Sequence, residues 1–423
     1  MATDASRKTA ESLLSALPLP EAEAGWAREV RAAARARLLE AGAPGRRDEY
    51  WRFTEPSRLT APLAPADEAV APGPAPAAFA DIEARRLRFV NGRFRADLSD
   101  EPAQDGLAVA TLQDVLRQDI TIARELFGRL EAAGNEKVAR PLASLNTAVA
   151  TEGLVLQATG PVALPLHLSH DQIGDGASML HHLVRVESGA SLTILESGTP
   201  SNTVFEIDVA PGGSVQHIRL QTGARAPSAS HIFAAIGEGA SFKSFTLMAD
   251  GTLTRNETVI DLRGDDAQGH IAGAVLGRNE AHLDNTVFVT HSALRGESRQ
   301  VFKNVLADRT TAVFQGKIFV RAGAQQTDGY QISQAVVLND GAEFLVKPEL
   351  EIYADDVKCS HGSTTGALDP EQLLYLRARG IPKGAAEAML VAAFADEAIE
   401  EIEDPALAEA MRAEVAVWMA SRG

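Results

Sequence analysis

The sequence predicts a mainly β chain, a parallel β-helix core flanked by N-terminal and C-terminal α-helical regions. Three observations carry that expectation. A glycine-anchored pattern recurs through the middle of the 423 residues, apolar and polar side chains alternate around each anchor, and both ends have the composition and punctuation of helices. Alternation places every second side chain on one face of a strand. Repeats of roughly 20 to 30 residues that hold only short strands and glycine turns are coils, each hydrogen-bonded to the next.

Residues 1–55 form an N-terminal helical region. Residues 26–41, "WAREVRAAARARLLEA", are rich in strong helix formers, and Gly42 and Pro44 stop the run. Residues 56–80 are so rich in Pro and Ala that no core-forming period survives, as expected of a linker. Residues 81–148 lead into the core. There "LRFVNGRFRADL" sets Asn91 and Gly92 between two short alternating runs, the signal for a two-residue hairpin turn, and helical periodicity returns over 111–133.

The β-helix is expected over 149–366. Gly189 has Val184 and Val186 before it and Leu192 and Leu195 after it; Gly212 repeats the offsets with Ile207, Val209, Val215 and Ile218, and Gly239 with Ala234, Ile236, Phe242 and Phe245. Gly323 and Gly341 anchor looser copies. The spacings are 23, 27, 84 and 18 residues, and 84 can hold three units. A β-sandwich is the rival reading, since its hairpins also put glycine turns between alternating strands, but they usually lack a constant frame about the turn. Residues 367–423 are helical again. Asp369 caps a helix that begins at Pro370 and ends at Gly380, Asp404 and Pro405 repeat the cap, and Leu407, Met411, Val415 and Trp418 form a stripe expected to pack within its own domain.

Composition excludes several classes. With 40 Lys and Arg against 57 Asp and Glu the net charge is −17, so phosphate backbones repel the chain and nucleic acid is not an expected partner. No apolar run approaches the ~20 residues that span a bilayer, so no membrane segment is expected. Asp4, Arg7, Lys8 and Glu11 interrupt the place where a secretory leader needs an apolar core. One cysteine cannot form an intrachain disulfide, which agrees with a reducing compartment. The expected location is cytoplasmic.

That cysteine lies in "EIYADDVKCSHGSTTGALD", and a histidine follows it after one residue. On an extended strand Cys359 and His361 share a face with Val357, while Lys358 and Ser360 face the other way. Thiolate and imidazole both bind zinc, copper or iron, yet two donors leave a four-coordinate ion half bound. A buried thiol beside an ordinary histidine is the plainer reading of the pair taken alone. An alternative is a cupin-like metal-dependent enzyme using His181, His182, Glu187 and His217, with His167 and His170 nearby. It lacks two histidines flanking one residue, and the adjacent His181 and His182 would point to opposite faces. "GDGASM", "GEGASF" and "FQGKIF" each fall short of a nucleotide loop.

Three longer stretches carry a resemblance. "PELEIYADDVKCSHGSTTGALDPEQLLYLRARGI" (348–381), "HSALRGESRQVFKNVLADRTTAVFQGKIFVRAGAQQTDGYQISQAVVL" (291–338) and "EYWRFT" (49–54) resemble segments of the SufB and SufD family of iron–sulfur cluster assembly proteins. Ser363 and Thr365 depart from the family, in which Ala and Val are more usual at those places. The resemblance implies a right-handed parallel β-helix and a non-catalytic scaffold subunit, not an enzyme. The implied partners are SufB, paired through the β-helix, and the SufC ATPase, docked on the C-terminal helices, with a possible homodimer in isolation. It implies an iron–sulfur cluster assembled transiently in the complex and none held stably by this chain alone. Cys359 and His361 are then candidate iron or cluster ligands at the SufB interface, His361 the stronger of the two. The single cysteine sets the chain apart from SufB, which needs one thiol to receive sulfur and others to present to iron, since one thiolate cannot hold a cluster.

Overall fold

The structure, a computed structural model, describes residues 3–421 apart from 18, 21, 22, 65–72, 74–76, 119 and 175. The middle of the expected Pro/Ala-rich linker, within 56–80, therefore lies outside the described residues. Helices α1 (Asp4–Ala16) and α2 (Gly25–Ala41) open the chain; the Thr3 hydroxyl accepts the Ser6 N–H at the start of α1, and Gly42, at φ 74°, closes α2. Strands β1 (Arg85–Val90) and β2 (Arg93–Phe94) pair antiparallel across Asn91 and Gly92, both in the left-handed region. Strand β3 (Leu107–Thr111) follows. The helical stretch expected over 111–133 is three short helices, α3 (Leu112–Arg117), α4 (Thr121–Leu126) and α5 (Arg129–Gly134), because Phe127 leaves helical geometry and Gly128 takes φ 69°. Helix α6 (Pro141–Val149), buried along its whole length, leads into the core.

Sixteen strands then wind in alternation between two sheets: β4 (Leu154–Ala158), β5 (Leu166–Asp171), β6 (Met179–Val186), β7 (Ser191–Gly198), β8 (Asn202–Val209), β9 (Ser214–Thr222), β10 (Ser228–Ile236), β11 (Ser241–Ala249), β12 (Leu253–Leu262), β13 (Gln268–Gly277), β14 (His282–His291), β15 (Glu297–Leu306), β16 (Thr311–Val320), β17 (Thr327–Val337), β18 (Glu343–Ile352) and β19 (Val357–Gly366). The even strands stack from β4 to β18 and the odd strands from β5 to β19. Every pairing between successive coils is parallel; among the described residues only β1–β2 and β3–β4 are antiparallel. The core is a parallel β-solenoid, and the sandwich reading falls.

The turns explain why the repeat fades along the sequence. The N–H groups of Gly189, Gly212, Gly239, Asp266, Arg295 and Gln326 each donate to the equivalent turn of the next coil, at Pro211, Glu238, Asp265, Leu294, Gln325 and Asp356. All six residues have φ between 57° and 71°. The stacking position is thus left-handed in every one of these coils, but after Gly239 it is filled by Asp, Arg and Gln, so the 84-residue gap does hold three coils. Gly341 is not a further copy. It lies in the turn from β17 to β18, on the opposite edge, so its 18-residue offset is part of a coil.

The lumen is packed with inward side chains such as Leu192, Phe205, Ile207, Phe242 and Phe314. After β19 come α7 (Pro370–Ala378), α8 (Lys383–Ile399) and α9 (Pro405–Ala420), the first and last capped by the carboxylates of Asp369 and Asp404. Leu407, Met411, Val415 and Trp418 join Ile218, Phe245, Leu247 and Val305 of the odd sheet in one buried cluster. The stripe thus packs not only on α8 of its own domain, as expected, but also on the outer face of the solenoid, outside that domain. Among the described residues no helix is long and apolar enough to cross a membrane.

Candidate functional site

Strand β19 is the last of the odd sheet and β18 the last of the even one, so each has a free edge at the same end of the solenoid. Cys359 lies in register with Gly329, and His361 with Gln331. Registered residues of parallel strands project to the same face about 4.8 Å apart. A Cβ on Gly329 would stand 3.2 Å from Cys359 Sγ and 3.3 Å from Ile318 Cγ2, so the thiol faces the lumen in space that the glycine leaves open. Cys359 and Val357 are half-buried against Ile318, Val320 and Ala324. His361 shares their face, but among the described residues no further coil covers it and it is exposed.

Burial pushes the Cys359 thiol above its ordinary range, a hydrogen bond involving the Gly329 backbone opposes this, and Asp328 reinforces it. The sulfur is therefore protonated near neutrality. A metal must displace that proton before thiolate can ligate. Beneath His361 the register column continues into Gln331 and then Gln300, both fully buried. None of their four amide atoms finds a hydrogen-bond partner among the described residues. Sequence reasoning missed these glutamines; their only signal is that they precede His361 by about one and two coils.

The alternative metal set does not converge. His181 points away from the lumen, with Nε2 2.8 Å from Glu206 and Nδ1 3.0 Å from Asn146. His182 points inward and stacks on Phe205 at 4.5 Å between centroids, its Nδ1 accepting the Leu154 N–H. His217 meets Glu196 at 3.1 Å, while Glu187, past the end of β6, accepts from the Gln157 amide at 2.9 Å. His167 is engaged with Ser197, and His170 lies 3.5 Å from Glu196. The cupin-like reading is therefore wrong, because neighbours on a strand face opposite ways. Among the described residues no three His, Cys, Asp or Glu side chains could hold a metal.

A buried ionic cluster also escaped the sequence. Arg255 pairs with Glu257 and Asp284 on the outer face of the even sheet, Arg140 lies 3.4 Å from Glu257, and the Thr54 hydroxyl donates to Asp284. Burial alone would raise the Glu257 carboxyl, but Arg255 and Arg140 hold it at about 2. The segment 49–54 runs over this cluster to the terminal coil. There Tyr50 Oη donates to Glu349 at 2.9 Å, and Lys347 pairs with Glu49 at 2.7 Å.

These features describe a parallel β-solenoid whose last coil has an open edge, with His361 exposed on it and Cys359 half-buried beside it. The family model described as "SUF system FeS cluster assembly, SufBD core domain" matches residues 168–394. The chain is 30% identical to the iron–sulfur cluster assembly protein SufD of Escherichia coli (strain K12), over 89% of this chain and 90% of that one. It is 29% identical to an iron–sulfur cluster assembly SufBD family protein of Synechocystis, over 85% and 84%, and 27% identical to SufD of Bacillus subtilis (strain 168), over 72% of each. The chain belongs to the SufBD family of iron–sulfur cluster assembly proteins.

Proposed function

We propose that this chain is the SufD-like, non-catalytic scaffold subunit of a cytoplasmic SUF assembly complex. The observation that carries the reading is the place of His361 and Cys359, on the lumen face of the outermost strand, with no strand beyond them among the described residues. Two donors on an open edge call for a second chain to supply the rest. SufB is that chain in this reading, docking a solenoid end of the same kind onto β18 and β19, whose unpaired backbone groups template strand pairing. Iron or the nascent cluster, as cargo, takes the His361 imidazole and, once deprotonated, the Cys359 thiolate, with SufB cysteines completing the set.

The SufC ATPase docks on the C-terminal helices. Helix α7 has no buried side chain, and Leu374 and Tyr375 are exposed, which supports that placement. ATP-driven movement of SufC would then bias the interface between open and closed states. The test is co-expression with SufB and SufC, followed by iron and sulfide analysis of the purified complex. His361→Ala should assemble but lose most of the cluster. A normal cluster content in that variant would refute the ligand role, and failure to co-purify with SufB would refute the scaffold role.

A further inference from the structure

We infer that the cleft between α5 and the outer face of the even sheet binds a small aromatic anion, its acid group held by Lys137 and Arg321 and its ring by Phe288 and Phe319. The site lies on the outer face, whereas Cys359 faces the lumen, so it is independent of the ligand role proposed for Cys359 and His361. The cleft measures about 840 Å³ with its open mouth included, within the range of small-molecule sites. Strand alternation builds its floor. Val259 and Asp261 on β12, Phe288 and Thr290 on β14, and Lys317 and Phe319 on β16 stand in register, each pair two residues apart and so on one face. The opposite wall is the end of α5 and the segment 136–140, which Arg140 fastens by donating to the Gly134 and Val138 carbonyls.

Charge names the ligand class. Five cationic side chains, Lys137, Arg140, Arg263, Lys317 and Arg321, line the cleft against two carboxylates, Glu136 and Asp261, in a chain whose net charge is −17. Three of the five are already matched: Arg263 pairs with Asp261 at 2.9 Å, Lys317 with Glu351 at 2.7 Å, and Arg140 lies 3.4 Å from Glu257. Arg321 donates only to the Ser292 hydroxyl, at 3.1 Å, and Lys137 rests on the Phe319 ring with Nζ 2.8 Å from the centroid; among the described residues neither pairs with a carboxylate. Partial burial lowers the Lys137 ammonium below its ordinary range, Glu351 opposes this, and Arg321 and Lys317 lower it further. Like charges gathered at one place repel until an anion joins them. The rings beside them set the rest of the ligand. An acid group draws the ammonium off Phe319, and a flat apolar body takes the ring face that it leaves, which neither a bare anion nor a neutral ring achieves.

The test titrates the full chain with benzoate and phenyl phosphate at neutral pH and low salt, by calorimetry, with inorganic phosphate and phenol as partial ligands. Both aromatic anions should bind about tenfold tighter than either partial ligand. Lys137→Met combined with Arg321→Met should weaken them by about tenfold and leave phenol unchanged. Lys137→Arg combined with Arg321→Lys keeps both charges and should keep most of the affinity. Phe319→Leu should weaken the aromatic anions severalfold and leave inorganic phosphate unchanged. Lys137 and Arg321 are exposed, so neither double variant should move the urea midpoint, which separates lost binding from lost folding. If the wild type binds neither aromatic anion, or the double Met variant binds them as well as the wild type, the inference is overturned. Inorganic phosphate bound as tightly as phenyl phosphate would overturn the role of the two rings.

Discussion

The guanidinium of Arg255 lies 4.2 Å from the centre of the Trp51 ring, and this contact anchors the N-terminal segment to a strand two hundred residues away. Arg255 is fully buried and reaches Glu257 and Asp284 at once. Arg255→Met leaves the buried Asp284 carboxylate without its cation and Glu257 with Arg140 in place of two guanidinium groups, and should cost about 3 to 5 kcal/mol. Trp51→Ala removes a buried indole, at a similar cost of about 3 to 5 kcal/mol. Urea unfolding checks both, and losses below about 0.5 kcal/mol would show that the segment is not fastened by this cluster.

Acid should weaken the fold well before the carboxylates titrate. Burial lowers His182 to about 3 and His167, His231 and His291 to about 4, from an ordinary 6.5. These histidines are neutral in the folded chain. Below pH 6.5 the unfolded chain takes up protons that the folded chain refuses, so stability present above 6.5 is lost as pH falls towards 4. Each histidine contributes a slope of about 1.4 kcal/mol per pH unit. Glu257, depressed to about 2, adds a further loss below 4.5. Urea midpoints at pH 7.5 and 5.5 should differ markedly, and equal midpoints would contradict the neutral state of these rings.

Position along the solenoid should separate structural from functional substitutions. Leu192 is buried in the lumen with 2% exposure, and Leu192→Ala should cost about 2 to 5 kcal/mol. His361→Ala and Cys359→Ser lie at the open end and should change stability by less than about 1 kcal/mol. A large destabilisation by His361→Ala would mean that the ring packs and does not serve a partner.

The proposed docking of SufC is best probed without deleting the helices. Loss of 369–423 would strip Leu407, Met411, Val415 and Trp418 from Ile218, Phe245 and Leu247 and bare an apolar sheet face. Leu374→Asp combined with Tyr375→Asp should instead leave unfolding unchanged within about 0.5 kcal/mol, since both side chains are exposed. Co-purification with SufC should be lost. Recruitment that survives the double substitution would place the SufC contact elsewhere.

The parallel stack, the helix caps and the shared face of Cys359 and His361 were legible in the amino-acid sequence, because each rests on local geometry. Strand alternation, a carboxylate before a proline, and a left-handed turn residue act over two to four positions and leave a mark in the string itself. Contacts between coils leave no such mark. The register steps from 23 residues, Ser191 to Ser214, up to 32, Thr311 to Glu343. No fixed spacing therefore announces that Gln331 underlies His361, or that Trp51 covers Arg255. The tertiary structure also scattered His181, His182, Glu187 and His217, and it moved Gly341 out of frame to the other edge. In a solenoid, local residue chemistry determines that coils form, while the hydrogen-bonded ladder between them decides which distant side chains meet.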